Sequence, residues 1–146
     1  MAKYKLNLSG IVGKYIGIPY ALGGNGSSGM DCLMLINTIG RELGANIPDE
    51  FKGISEDNYA RLWTEFPQKA KRTLISYVSS LGERIGVPFL FPPDLVLFRD
   101  GEDELGVGVY MGKGLILSAF VEEEIRLVNR EGYPIEAVIR WVVKHV

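Results

Sequence analysis

The chain has 146 residues, of which 47% are hydrophobic and 23% charged, and a formal net charge of −2. This composition is typical of a globular protein and excludes an extended disordered chain. Because the charge is nearly balanced and lysine and arginine form no dense run, nucleic acid is not expected as a partner. The length suits one domain with a sizeable core, and we predict a single domain over residues 1–146.

Cysteine and histidine each occur once, at Cys32 and His145. One cysteine excludes an intrachain disulfide and any multi-cysteine metal site, and we expect neither a metal nor another cofactor.

The first residues lack a long apolar stretch with a cleavage site, and no segment is apolar over the thickness of a bilayer. We therefore expect no membrane partner and synthesis in the cytoplasm without a signal peptide. The product either stays there or is incorporated into a virion or tail-like particle.

The first half of the chain has the periodicity of helices. Apolar residues recur at helical spacing from Leu8 to Ile16, and Pro19 ends that pattern. A second helix is predicted to begin at Cys32, after a glycine-rich loop, and to end near Gly44, which is predicted to be its C-cap residue.

Further helical patterns fill residues 55 to 82 and are interrupted by Pro67. Their large apolar residues are predicted to anchor the core: Trp63, Phe66, Leu74 and Tyr77. The pattern changes after Pro92, where short β-branched or apolar runs alternate with turn residues. These runs are predicted strands at residues 95–98, 107–111, 114–120, 124–128 and 137–146.

Helices followed by strands favour an α+β fold with an antiparallel sheet. The last predicted strand, residues 137–146, lies at the end of the chain. We expect it at an edge of the sheet, where it would be available to pair with a partner.

The loop GGNGSSGMDC, residues 23–32, allows three interpretations. Its glycines at 24, 26 and 29 match the G-x-G-x-x-G pattern of a phosphate-binding loop, and Asp49 follows about twenty residues later. Two features oppose a nucleotide site. Pro19 weakens the preceding segment as a central strand, and Asp31 would repel a pyrophosphate at the helix start.

The second interpretation is a reactive thiol. Asp31 is suited to cap the helix, which places Cys32 in the first turn, where a helix N-terminus stabilises a thiolate and can lower the pKa of the thiol. The backbone N–H groups of that turn could form an oxyanion hole. The third interpretation is a plain helix start with Cys32 as a small core residue. The loop alone does not decide between a reactive thiol and a core residue.

Three segments together resemble the NlpC/P60 family. GIPYALGGNGSSGMDCLMLI resembles the family signature, in which an Asp-Cys pair opens a helix after a glycine-rich loop. PPDLVLFRDG resembles the family's P-G-D-L strand, and VGVYMGKGLILSAF resembles its V-G-I-Y-x-G hairpin. The blocks keep the family's order and spacing from about residue 8 to residue 120, and they are most similar to phage and prophage-type cell-wall peptidases.

The resemblance implies a papain-like core with N-terminal helices and a C-terminal antiparallel sheet. The helix that bears the cysteine packs on this sheet. It also implies cleavage of peptide bonds in bacterial cell-wall stem peptides by a cysteine nucleophile, a histidine base and a third polar residue that orients the base. By position, Cys32 matches the nucleophile, Asp31 matches the residue before it, and Tyr20 matches the family tyrosine.

The resemblance fails where the base is expected. Gly106 stands in place of the histidine, and Ser118 stands at about the position of the orienting residue. General-base assistance is worth roughly 10²–10⁴ in rate, and in a triad its loss costs about as much as loss of the nucleophile. The replacements that the sequence offers are His145, near the C-terminus, and an acidic group among residues 102–104.

Three functions are consistent with this pattern. The first is a catalytically deficient NlpC/P60-like domain that binds a peptidoglycan peptide or serves as a structural component beside phage-tail-type protein partners. The second is an active cysteine peptidase or amidase that cleaves stem peptides with an unconventional base. The third is a redox or acyl-transfer thiol protein built on the same fold. Whether the protein is an enzyme is therefore open at this point, and the missing histidine favours the first function.

Overall fold

The computed structural model describes residues 8–101 and 104–143. Four α-helices and ten strands follow one another within these ranges. The helices are α1 (Leu8–Tyr15), α2 (Cys32–Glu42), α3 (Tyr59–Glu65) and α4 (Pro67–Ser80). The strands are β1 (Asn25–Gly26), β2 (Gly29–Met30), β3 (Glu50–Phe51), β4 (Ile54–Ser55), β5 (Gly82–Ile85), β6 (Leu95–Arg99), β7 (Leu105–Gly112), β8 (Leu115–Ala119), β9 (Ile125–Asn129) and β10 (Ile135–Trp141).

The main sheet has six antiparallel strands in the order β5-β10-β6-β7-β8-β9. The α-helices end at Ser80 and all six strands of this sheet follow them, so the predicted α+β fold is confirmed. The edge position predicted for the last strand is wrong, since β10 pairs with β6 on one side and β5 on the other. The sequence did not predict β5, because Glu83 and Arg84 interrupt its apolar pattern. Both of these side chains are exposed.

Both faces of this sheet are buried, in keeping with the two-residue period of strands. Leu97, Val107 and Leu117 point to the face on which α2 packs and belong to the larger core. Val96, Phe98 and Ile116 point to the opposite face and form a second core. Helix α2 packs tightly on the sheet at Gly40. A methyl group at this position would lie only 2.9 Å from Cζ3 of Trp141.

Helix boundaries follow the signals in the sequence. The C-cap of α2 is Leu43, one residue before the predicted Gly44, and Gly44 takes the positive φ of 79° that is common just beyond a C-cap. Pro67 opens α4, and the residue before it, Phe66, ends α3. The core positions of Leu74 and Tyr77 are confirmed, but that of Phe66 is wrong. Its side chain is 54% exposed, because the break between the two helices turns it outward.

Candidate active site

The glycine-rich loop is a small hairpin held against the end of the main sheet. Its strands β1 and β2 pair with each other, and Tyr20 N donates to the carbonyl of Glu123 at 3.0 Å. Two glycines permit close packing, since a Cβ at Gly24 would lie 2.5 Å from the carbonyl oxygen of Gly29, and one at Gly29 would lie 2.4 Å from Cβ of Ala21. The loop glycines therefore serve the packing of the hairpin.

Asp31 is the N-cap of α2, as predicted. Its Oδ1 accepts the N–H of Met34 at 2.8 Å, and its Oδ2 accepts the N–H of Gly23 at 2.7 Å. The side chain is 2% exposed, so one buried carboxylate fastens both the helix start and the loop before it. Burial raises the pKa of Asp31, and these backbone hydrogen bonds oppose that rise.

Cys32 is the first residue of α2, and its partly buried side chain lines a cavity of about 500 Å³. The thiol donates a hydrogen bond to the carbonyl oxygen of Ala119, 3.3 Å from Sγ. Burial, followed by the carboxylate of Asp31 and, more weakly, that of Asp100, raises the pKa of this thiol to about 12. The predicted lowering of the pKa by the helix N-terminus is therefore wrong, because desolvation and negative charge outweigh it.

The cavity has aromatic walls and an acidic rim. Its aromatic side chains come from the loop, α3 and the sheet: Tyr20, Tyr59, Trp63, Phe98 and Phe120. The carboxylates around it belong to Asp100, Glu104 and Glu122, and Lys71 is the one lysine in the lining, with Nζ 3.4 Å from Glu104 Oε2. The site thus combines a thiol with apolar surface and a few charged groups, which is the usual make-up of a ligand pocket.

Gly106, the position expected to hold the base, also lines this cavity. It pairs with Phe98 across β6 and β7, and a Cβ at Gly106 would lie 2.4 Å from Cζ and 2.5 Å from Cε2 of the Phe98 ring. Carbon atoms do not approach so closely without displacement. The ring of Phe98 therefore fills the space that a side chain at position 106 would enter.

Ser118, the position of the orienting residue, is 1% exposed and lines the same cavity. Its hydroxyl donates to the carbonyl oxygen of Val107 at 2.7 Å, so its proton is committed to the backbone. Residues 8–101 and 104–143 contain no histidine, and His145 lies outside them. Of the acidic alternatives, residues 102 and 103 also lie outside, whereas Glu104 is exposed and paired with Lys71.

Two tyrosines stand beside the thiol. Tyr20 lines the cavity, and its pKa is raised by burial and then by the charges of Cys32 and Asp31. Tyr59, which sequence reasoning did not assign to the site, is 2% exposed, and burial and the same two neighbours raise its pKa. No local motif marks Tyr59, because it reaches the cavity from α3, in the segment between the loop and the sheet.

None of the helices within residues 8–101 and 104–143 combines the length and apolar character that crossing a membrane requires. In the part of the chain that the structure describes, no group of three or more histidine, cysteine, aspartate or glutamate side chains is arranged to hold a metal ion.

A helix that carries a cysteine in its first turn and packs on an antiparallel sheet agrees with the papain-like fold expected from the sequence. The sequence model of the NlpC/P60 family matches residues 17–141, so the chain belongs to the NlpC/P60 family. The predicted family and its cell-wall peptidase-type domain are confirmed. No curated protein sequence matches the chain.

Several solved structures share this fold at low sequence identity. The NlpC/p60 domain of the peptidoglycan hydrolase SagA is 20% identical, with a TM-score of 0.59 over 92% of this chain and 99% of that domain. An NlpC/P60 family protein from Bacillus cereus ATCC 10987 is 19% identical, with a TM-score of 0.62 over 94% of this chain and 41% of that protein. The P60 domain of the M. avium subspecies paratuberculosis antigen MAP1204 is 20% identical, with a TM-score of 0.55 and coverage of 94% and 93%.

Proposed function

We propose that this chain is an NlpC/P60 domain without hydrolytic activity that acts by binding. Its ligand is a cell-wall stem peptide or a protein partner, and its place is a larger assembly such as a phage-type tail. The observation that carries the proposal is the pair Gly106 and Phe98, because an aromatic ring fills the space where the family's base is expected.

The state of the thiol supports the same conclusion. With its pKa raised to about 12, Cys32 is protonated at neutral pH, and its proton is directed to the carbonyl of Ala119. Cysteine peptidases need a thiolate and a group that returns a proton to the leaving amine. The buried hydroxyl of Ser118, at the position of the orienting residue, already donates its proton to the backbone. It therefore neither generates the thiolate nor returns a proton to the leaving amine.

The cavity remains suited to a ligand after the loss of the base. Its volume of about 500 Å³ accommodates a short peptide segment, and Trp63 and Phe120 in its lining offer flat apolar surface. Carboxylates at Asp100 and Glu122 can pair with a positive group of the ligand. Binding therefore needs none of the proton transfers that hydrolysis requires.

The direct test is to incubate purified muropeptides with the wild type and with Cys32→Ala, to analyse the products by mass spectrometry, and to measure binding by calorimetry in parallel. We expect saturable binding and no cleavage with either protein. Cleavage by the wild type that Cys32→Ala abolishes would refute the proposal. Absence of both binding and cleavage would exclude the peptide ligand and leave the structural role beside a protein partner.

An active peptidase with an unconventional base is the second candidate function. It is favoured by the carboxylate of Asp100, which lines the cavity with Cys32 and is close enough to influence the pKa of the thiol. If Asp100 is the base, Asp100→Asn should abolish cleavage, whereas Glu122→Gln on the same rim should retain it. Equal cleavage by both variants would eliminate Asp100 as the base.

A further inference from the structure

The space beside Gly106 is filled by a residue that is itself firmly held. Phe98 is 1% exposed, and its ring packs against Phe120, with centroids 6.1 Å apart, and edge-on against Tyr133 at 5.6 Å. Phe120 and Tyr133 contact each other at 5.5 Å, which closes a cluster of three rings. Because each ring is fixed by the other two, Phe98 cannot turn aside at little cost to admit a side chain at position 106.

The far end of the ring makes the closest approach. The atoms nearest to a Cβ at Gly106 are Cζ, Cε2 and Cε1 of Phe98, at 2.4, 2.5 and 3.1 Å. Leucine lacks all three atoms but keeps the branched, apolar inner part of the side chain. Phe98→Leu therefore removes the three closest atoms and keeps an apolar side chain at this position of β6.

We propose that Phe98 is the residue that keeps Cys32 without a base, and that Phe98 and Gly106 form one steric unit, so that histidine at position 106 is accommodated only when the phenylalanine ring is removed. This inference rests on the proposed loss of hydrolysis and adds the cause that maintains it. Phe98 is a positioning residue in this sense, because it acts by occupying space at the wall of the cavity.

A histidine that fits at position 106 would stand at the cavity that Cys32 lines. A neighbouring imidazolium favours the thiolate and lowers the pKa of a cysteine. The thiol is a clean reporter of this change, since Cys32 is the only cysteine of the chain. The coupling can therefore be read both from thiol chemistry and from stability.

The experiment compares five proteins: the wild type, Gly106→His, Phe98→Leu, the Phe98→Leu/Gly106→His double variant, and a Phe98→Leu/Gly106→Gln control of similar volume without an imidazole. Urea unfolding gives the stabilities, and the rate of iodoacetamide alkylation across pH gives the pKa of Cys32. We expect Gly106→His to destabilise the wild type strongly and to destabilise Phe98→Leu much less, a non-additivity that marks direct contact. We also expect the double variant alone to be alkylated at least about tenfold faster than the wild type near neutral pH.

Additive effects on stability would overturn the inference even if Gly106→His alone folds too poorly for alkylation to be measured. A normally stable Gly106→His protein with a lowered thiol pKa would also overturn it, as would equal alkylation of the histidine and glutamine double variants. These outcomes are separate from the fate of the proposed function. Muropeptide cleavage by the wild type would refute that function without altering the coupling between positions 98 and 106.

Discussion

The thiol of Cys32 is expected to react slowly in the folded protein and to speed up steadily as the pH is raised. Its pKa of about 12 follows from burial and from the nearby carboxylates of Asp31 and Asp100. Only the thiolate reacts with iodoacetamide, so the rate follows the fraction of Cys32 that is ionised. The experiment therefore varies the pH and compares the alkylation rate of the folded protein with that of the same chain unfolded in urea.

The magnitude follows from the two pKa values. Near pH 8 a thiol with a pKa of about 12 is ionised to about 10⁻⁴, whereas a free cysteine with a pKa of about 8.5 is ionised to roughly one quarter. The ratio is on the order of 10³. A more basic thiolate is also more nucleophilic, which recovers a factor of about 25–55. Folded Cys32 should thus be alkylated on the order of 10²-fold more slowly than Cys32 in the urea-unfolded chain.

The assay is mass spectrometry of iodoacetamide-treated protein at a series of pH values, with circular dichroism at each pH to verify the fold. The slope distinguishes ionisation from simple shielding of the sulfur. If the raised pKa limits the rate, the rate increases about tenfold per pH unit through about pH 10.5. A rate that levels off near pH 9 would mean an ordinary pKa behind a steric barrier, and fast labelling near pH 7 would contradict the assigned electrostatics altogether.

Two further predictions concern buried carboxylates, and urea unfolding measures both. Asp31→Ala should cost about 2 kcal/mol because the N–H groups of Gly23 and Met34 lose their acceptor, whereas Asp31→Asn keeps the cap and should cost less. Because burial raises the pKa of Asp31 above its unfolded value, the stability of the wild type relative to Asp31→Asn should fall as the pH rises from about 4 towards neutrality, and the opposite trend would refute this. Arg140→Met should cost about 2–3 kcal/mol, since it removes the paired hydrogen bonds of Nε and Nη2 to the buried Asp94, both 2.9 Å long. Arg140→Lys keeps the charge and should cost less, and equal losses would show that the pairing geometry is unimportant.

Most of the fold could be predicted because its signals are local. Asp31 caps α2, Gly44 follows its end, and the β-branched runs after Pro92 form strands where the pattern indicates. The order of the strands is not a local property. The strand β5, residues 82–85, lies before Pro92 and carries exposed charges. It pairs with the free side of β10, so that β5 is the edge strand and β10 lies inside the sheet.

The site could be predicted only in part for the same reason. The loop motif identified Tyr20, Asp31 and Cys32, which the fold does bring together at the start of α2. Comparison with the family pattern identified Gly106 at the position where a base is expected, but a sequence does not reveal what occupies the space beside a glycine. Phe98 does so through strand pairing and ring packing, which depend on the register between β6 and β7.

The pKa of Cys32 shows why the loop motif alone does not establish thiol chemistry. A helix N-terminus favours an anion by about 0.3–1 kcal/mol when exposed, which is under one pKa unit. Burial and nearby carboxylates act in the opposite direction and raise the pKa to about 12. The helix start alone therefore does not produce a reactive thiol, and in active cysteine peptidases a nearby imidazolium supplies the larger stabilisation.

The features that make the loop look catalytic have structural reasons in this chain. Asp31 holds the first turn of α2 and the backbone at Gly23, and Gly24 and Gly29 are needed for close packing of the hairpin. A domain that only binds would need all of these residues to keep its fold. The presence of the loop therefore does not favour hydrolysis over binding. The discriminating position is Gly106, where an imidazole and the ring of Phe98 compete for one space.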